Sequence, residues 1–274
     1  MPFEREINLG VLASRSCDLI QCVVWHALYN REAPKGLQLI SELIRNSEIE
    51  KLDIATLNHD LLIEQVLSNE SIKYIDGFGQ PDGDVRFFEP ELYDKHDTEI
   101  NLFKLHGSIN WYRFRTEEDG KTIDKYGCTA NIDHDHCKNS EGKMMLNLDH
   151  KPTFLTGSCN KMSDYGFGIF AKAHHKFLDR LSNCDIMIMS GYGWNDRGIN
   201  GRLFEWILSS HRKRLILLHQ NPETEIKQKS KSAMWHRYDE LLNDGRLIPI
   251  KKWLSETSIE DIAKALQESA GKLN

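Results

Sequence analysis

An α/β fold built on a doubly wound, Rossmann-like parallel sheet is what this 274-residue sequence predicts, and three observations lead there. Short apolar runs recur at residues 52–57, 102–105, 184–189 and 214–218. Stretches with helical periodicity separate them. Several runs end on small polar groups just where a helix should begin, as in residues 56–60 (TLNHD) and 190–196 (SGYGWND). Strands alternating with helices imply a parallel sheet with helices on both faces and right-handed crossovers.

In chain order, residues 7–29 place Leu9, Leu12, Leu19, Ile20, Val23, Val24, Ala27 and Leu28 largely on one helical face. Pro34 opens a second helix that buries Leu37, Ile40, Leu43 and Ile44 together. Both helices read as scaffold. Residues 52–57 form a short buried strand, and Asn58-His59-Asp60 turns into a helix carrying Leu61, Leu62, Val66 and Leu67. A further strand is expected at 71–75, then a turn-rich loop at 76–84 and a short strand at 85–88. Trp111 to Phe114 continue extended, and residues 116–148 turn polar and irregular, which marks an insertion near 115–160. Helical periodicity resumes at Phe167 and runs through Leu181. Residues 184–189 (CDIMIM) are apolar enough for a strand buried on both faces. A helix with Leu203, Phe204, Ile207 and Leu208 follows, then a buried strand at 214–218, a helix to about Leu242, and a strand at 246–250. Ser258 caps a final amphipathic helix that reaches Leu273. Residues 1–50 are thus a helical segment of the domain, and residues 51–274 are its body.

Composition narrows the function. Forty per cent hydrophobic and 28 per cent charged residues is ordinary for a globular chain. A net charge of −6 and a pI near 6.1 argue against general nucleic-acid binding, which needs a basic surface. The basic residues His211 to Arg214, Lys227, Lys229, Lys231 and Arg237 accordingly read as solvated surface. No apolar stretch approaches the roughly 18 residues needed to cross a bilayer, and the start MPFEREINLG does not resemble a signal peptide, so a cytoplasmic protein is expected. The six cysteines are scattered, which favours reduced thiols over a disulfide framework.

Chemistry concentrates in LFKLHGSINW, residues 102–111, where an apolar run stops on His106, Gly107 and Ser108. An imidazole at a strand end, beside a backbone without a side chain, is well placed to meet a ligand. TLNHD, LHGS, SGYGWND with Ile199-Asn200 behind it, and LHQNP occur in that order between about residues 50 and 222. In this the chain resembles the sirtuin-like domains common in prokaryotic proteins. The resemblance implies a domain that binds NAD and either removes acyl groups from lysine or hydrolyses NAD to nicotinamide and ADP-ribose.

It also implies roles for residues. His106 is the general base that takes a proton from a ribose hydroxyl or a water. Asn58 holds the nicotinamide ribose or the attacking water, and Asp60 lies near the carboxamide. Thr56, Gly107 and Ser108 line the same side. Ser190, Gly191 and Tyr192 line the adenosine and phosphate side, and Asn221 contacts the adenine ribose. An imidazole can act as a base near neutral pH, and an amide can orient a hydroxyl without adding charge. Each position also has a structural reading: Asn58 and Asp60 as a helix cap, residues 190–196 as a plain turn, Asn221 as turn chemistry before Pro222.

Two features depart from the family pattern. The family normally begins with a strand and a glycine-rich turn that cradles the pyrophosphate, whereas the first fifty residues here hold only Gly10 and Gly36. The two close cysteine pairs of the deacylating zinc module are also absent. In their place stands CTANIDHDHC, with Cys128, His134, His136 and Cys137, and Cys159 further on. Its spacing fits no standard zinc pattern, so no metal is expected. NAD hydrolysis is therefore the expected activity, and the resemblance places many such domains in prokaryotic antiviral defence. The alternative is a catalytically silent module that binds NAD or ADP-ribose or serves as an interaction subunit. Lysine deacylation ranks behind both. A protein partner or self-association is compatible with the sequence; a membrane is not expected.

Overall fold

The computed structural model describes residues 9–29, 31–32, 36–95, 100–118, 120–130, 133–156, 165–229 and 233–271. The chain divides into two compact units. The first holds residues 1–32, 54–65 and 73–173, and the second holds residues 33–53, 66–72 and 174–274. Parallel strands with intervening helices give the expected α/β class. No helix among the described residues is long and apolar enough to cross a membrane.

In the first unit, strand β1 (Leu52–Thr56, entering from the second unit) pairs with β4 (Ile100–Lys104). Every residue of β4 is buried. Because strand side chains alternate, both of its faces are covered. A second sheet in this unit comprises β2 (Phe78–Asp82), β3 (Val85–Phe88), β5 (Trp111–Glu118), β6 (Lys121–Cys128) and β7 (Leu146–Asn147), in the antiparallel order β2-β3-β6-β5-β7. Tyr112 and Phe114 pack with Val85, Cys137 and Met145, while Trp111 packs with Phe78, Cys128 and Ile169. The split follows the period of two along β5.

Several expectations for this unit change. Of residues 71–75, only Ile75 joins a ladder, through a parallel bridge to Asn101. The turn-rich run 76–84 contains β2, and Gly83 with φ +63° makes the hairpin turn into β3. Residues 116–148 hold an antiparallel hairpin and β7 between turns. This hairpin escapes an apolar-pattern reading because cross-strand charges such as Arg115 and Asp124, 2.9 Å apart, help hold it. Helix α1 (Leu9–Leu28) forms, yet Val11, Leu12, Leu19, Ile20 and Val23 are exposed. Periodicity defined the apolar face correctly but said nothing of a partner. In the second half of the helix, Asp18 pairs with Lys151, Gln21 Nε2 donates to the Pro152 carbonyl at 3.4 Å, and the Trp25 ring meets that of His134 at 6.4 Å.

The second unit is built on a parallel sheet of order β10-β9-β8, with β8 at Ile186–Ser190, β9 at Arg214–Leu218 and β10 at Leu247–Ile250. Helix α2 (Gln38–Arg45) and the final helix, α7 (Ile259–Ala270), cover one face. Leu39, Leu43 and Ile262 meet Ile216, Leu218 and Ile248 there. Burying each such aliphatic side chain contributes roughly 1.5–3 kcal/mol. Leu215, Leu217 and Leu247 point the other way and are equally buried, so the opposite face is covered too.

Helices α3 (Leu62–Asn69) and α4 (Gly168–Asn183) begin in the first unit and end in the second. Helix α5 (Arg197–Leu208) is capped by Asp196, whose carboxylate accepts the Ile199 N–H at 3.1 Å. Ser258 caps α7 in a capping box with Asp261. Leu273, the expected end of that helix, lies outside the described residues, as does Pro34. The described part of the second helix begins at Gln38.

Two further expectations change. Strands β1 and β8 are half-buried rather than fully buried. The single helix expected before Leu242 is a series of short pieces: a turn at Pro222–Thr224, a π-helical turn at Glu225–Lys229, a 3-10 turn at Ala233–Arg237, and helix α6 (Tyr238–Asn243). Apolar periodicity alone does not register such breaks.

Candidate functional site

Strands β1 and β4 end side by side, with the Leu105 N–H donating to the Thr56 carbonyl at 3.0 Å. The two polar turns that follow are tied together. The Ile109 N–H and the Ser108 hydroxyl both donate to the His59 carbonyl, at 3.0 and 3.3 Å. The Lys104 ammonium bonds the Asp60 carbonyl and lies 2.7 Å from Glu64 Oε1. Within the first turn, Thr56 Oγ1 accepts the Asn58 N–H at 3.1 Å, and Asp60 Oδ1 accepts the Leu62 N–H at 3.1 Å at the start of α3. Asp60 therefore performs the capping role that its position suggested. Asn58 remains exposed.

Gly107 is required where it stands. Its φ is +81°, and a Cβ there would lie 2.3 Å from the Thr153 carbonyl oxygen. The close approach lets Gly107 bridge Phe154, and the Leu155 N–H donates to the His106 carbonyl at 2.9 Å. His106 itself is only 4% exposed. Its Nε2 lies 2.7 Å from the Tyr165 hydroxyl, with the two rings stacked at 5.9 Å. The His59 ring stacks on Phe154 at 4.5 Å and lies 6.3 Å from the His106 ring. An open cavity of about 430 Å³ borders this segment at Phe154 and Leu155 and carries Arg113 and Lys151, but His106 does not line it.

The first unit thus gathers Thr56, Asn58, Asp60, His106, Gly107 and Ser108. Ser190, Gly191, Tyr192 and Asn221 belong to the second unit. There Ser190 pairs in register with Leu218, so residues 191–196 and 219–222 leave the same, carboxyl, end of β8 and β9. Ligands of open α/β sheets bind at such ends. Gly191, at φ +68°, starts its turn. The Tyr192 hydroxyl lies 2.8 Å from Asn200 Oδ1 and 3.1 Å from the Asp196 carbonyl, and burial pushes its phenol above the usual range. Asn221 is exposed; its N–H donates to His219 Nδ1 at 2.9 Å.

Three residues of the first unit's cluster were not singled out from the sequence: Lys104, Glu64 and Tyr165. Lys104 left a signal, since a charge inside the apolar run LFKLHG demands a buried partner. Tyr165 left none.

The CTANIDHDHC loop scatters its candidate ligands. Cys128 is buried in β6, and burial pushes its thiol up to about 12. Cys137 is buried against Thr129, and His134 stacks on Tyr112 at 4.4 Å. His136 is exposed beside Asp133 at 2.6 Å. Among the described residues no group of three or more His, Cys, Asp or Glu is arranged to hold a metal ion. Cys159 lies outside them.

Residues 53–241 match the profile of the SIR2-like domain family. That is more than half of the chain, and the chain belongs to this family. Among solved structures, an ADP-ribose complex of a mutant Sir2 homologue aligns with a TM-score of 0.46 and 12% identity, over 96% of this chain and 79% of that one. A Sir2 homologue bound to NAD aligns with a TM-score of 0.45 and 13% identity, over 97% of this chain and 77% of that one. No curated protein matches the chain.

Proposed function

We propose that this chain binds NAD as its substrate and cleaves the nicotinamide N-glycosidic bond, releasing nicotinamide and ADP-ribose. The observation that carries the reading is the joining of residues 56–60 to residues 105–108 at the ends of β1 and β4. Departure of nicotinamide builds positive charge at the ribose carbon, and a water completing the reaction must lose a proton. His106 is the base that receives it, and Asn58, exposed in the turn bonded to residues 105–109, orients the hydroxyl or water. Thr56, Asp60, Gly107 and Ser108 shape that side, and Ser190, Gly191, Tyr192 and Asn221 serve the adenosine and phosphate side.

In this reading the SIR2-like domain runs over residues 51–274, with residues 1–50 as its helical beginning and an insertion near 115–160. A cytoplasmic role in prokaryotic antiviral defence extends the same reading. Nicotinamide release, followed by chromatography, tests it. His106→Ala and Asn58→Ala should each lower turnover by about 100-fold or more while circular dichroism stays unchanged. If both variants keep near-wild-type turnover, the assignment is wrong.

A further inference from the structure

We propose that Tyr165 is a catalytic residue, the outward end of a proton relay whose inner end is His106; this rests on the NAD-cleavage reading. A general base must come within hydrogen-bond reach of the proton it removes. His106 is 4% exposed, and its Nε2 already faces the Tyr165 hydroxyl at 2.7 Å, whereas Tyr165 is only half-buried. Of the two residues, Tyr165 is the more exposed, which makes its phenol the outer acid–base group of the pair. A phenol is the better donor and an imidazole nitrogen the better acceptor, so the hydroxyl donates to Nε2.

The step then balances without a further reagent. As water adds to the ribose carbon, its O–H bond breaks and its proton goes to the Tyr165 oxygen. The phenol's own O–H bond breaks at the same time, and that proton forms the new N–H bond on His106 Nε2. The positive charge that had developed on the ribose ends on the imidazolium, and Tyr165 is neutral before and after. The stacking of the two rings, centroids 5.9 Å apart at 22°, keeps the phenol oxygen on the nitrogen during the transfer.

Tyr165→Phe tests this, because it keeps the stacked ring and removes only the hydroxyl. The relay requires kcat for NAD to fall by about 100-fold with KM within about threefold. His106→Ala with Tyr165→Phe should be no slower than His106→Ala alone, since residues acting as one unit are not additive. In the unliganded protein, the nitrogen-15 resonance of His106 Nε2 should move on Tyr165→Phe. Were the wild type to cleave NAD while Tyr165→Phe kept its kcat, the relay would fall and the NAD reading would stand. A wild type that cleaves no NAD removes both. An unmoved Nε2 resonance shows that the hydrogen bond is absent and overturns the relay whatever the activity.

Discussion

A lysine two residues before the candidate base is 2% exposed, in a strand otherwise made of apolar and amide side chains. Burying an ammonium is costly unless it is paired and hydrogen-bonded. Lys104 meets that cost through Glu64, whose side chain is 17% exposed, and through the Asp60 carbonyl. The pair thereby fixes the turn that carries Asn58. Removing one partner of such a pair leaves the other charge stranded, so Lys104→Met should destabilise the protein by about 3 kcal/mol. Replacing both with apolar side chains of similar volume removes the stranded charge, so adding Glu64→Leu should recover a good part of that loss. Urea unfolding of the two variants measures both quantities. A single variant that unfolds at the wild-type midpoint would show that the pair does not hold the turn.

The elements that the sequence revealed best are those whose burial is simple. TLNHD and LHGS were legible because an apolar run followed by small polar groups marks a strand end, and both turns lie at such ends, TLNHD leading into α3 and LHGS into β5. The β5–β6 hairpin was not, since β6 is largely exposed and cross-strand charge pairs leave no apolar alternation to read. Strand β2 hid inside DGFGQPDGD, where proline and glycine suggested only a turn. Tyr165 reaches His106 from 59 positions along the chain, a proximity that no local pattern encodes.

The SGYGWND turn was legible as a turn but not in its bracing. Trp194 is fully buried with φ +56°, a region costly for a bulky residue. Asn200 in α5 holds it there: its Nδ2 donates to the Trp194 carbonyl at 2.8 Å, and its Oδ1 lies 2.8 Å from the Tyr192 hydroxyl. Asn200→Ala would leave the buried Trp194 carbonyl without this bond, at about 1–3 kcal/mol when unsatisfied, and would leave the Tyr192 hydroxyl only its bond to the Asp196 carbonyl. Its melting temperature should fall by several degrees. An unchanged melting temperature would mean that the turn holds itself.

At the scale of the whole molecule, the two borders of the second unit's sheet differ in chemistry. β10 carries Pro249, and proline within a strand is at home on a border because it has no N–H to donate. β8 reads IMIMS, with no charge, no proline and no bulge against β9, the composition of a strand made to lie inside a sheet. Among the described residues β9 is its only strand partner. An apolar border lacking those guards is a template for pairing with another chain. Val11, Leu12, Leu19 and Val23 of α1 add exposed apolar surface in the first unit. Self-association is therefore expected, with the sedimenting mass rising above the 31.7 kDa chain between about 1 and 100 µM. Ile186 is 47% exposed, so a lysine placed there disturbs little packing while putting a charge on the border. Ile186→Lys should shift the association to several-fold higher concentration with the melting temperature held. A wild type that sediments as a single 31.7 kDa species across that range would show that the border of β8 is already closed to other chains.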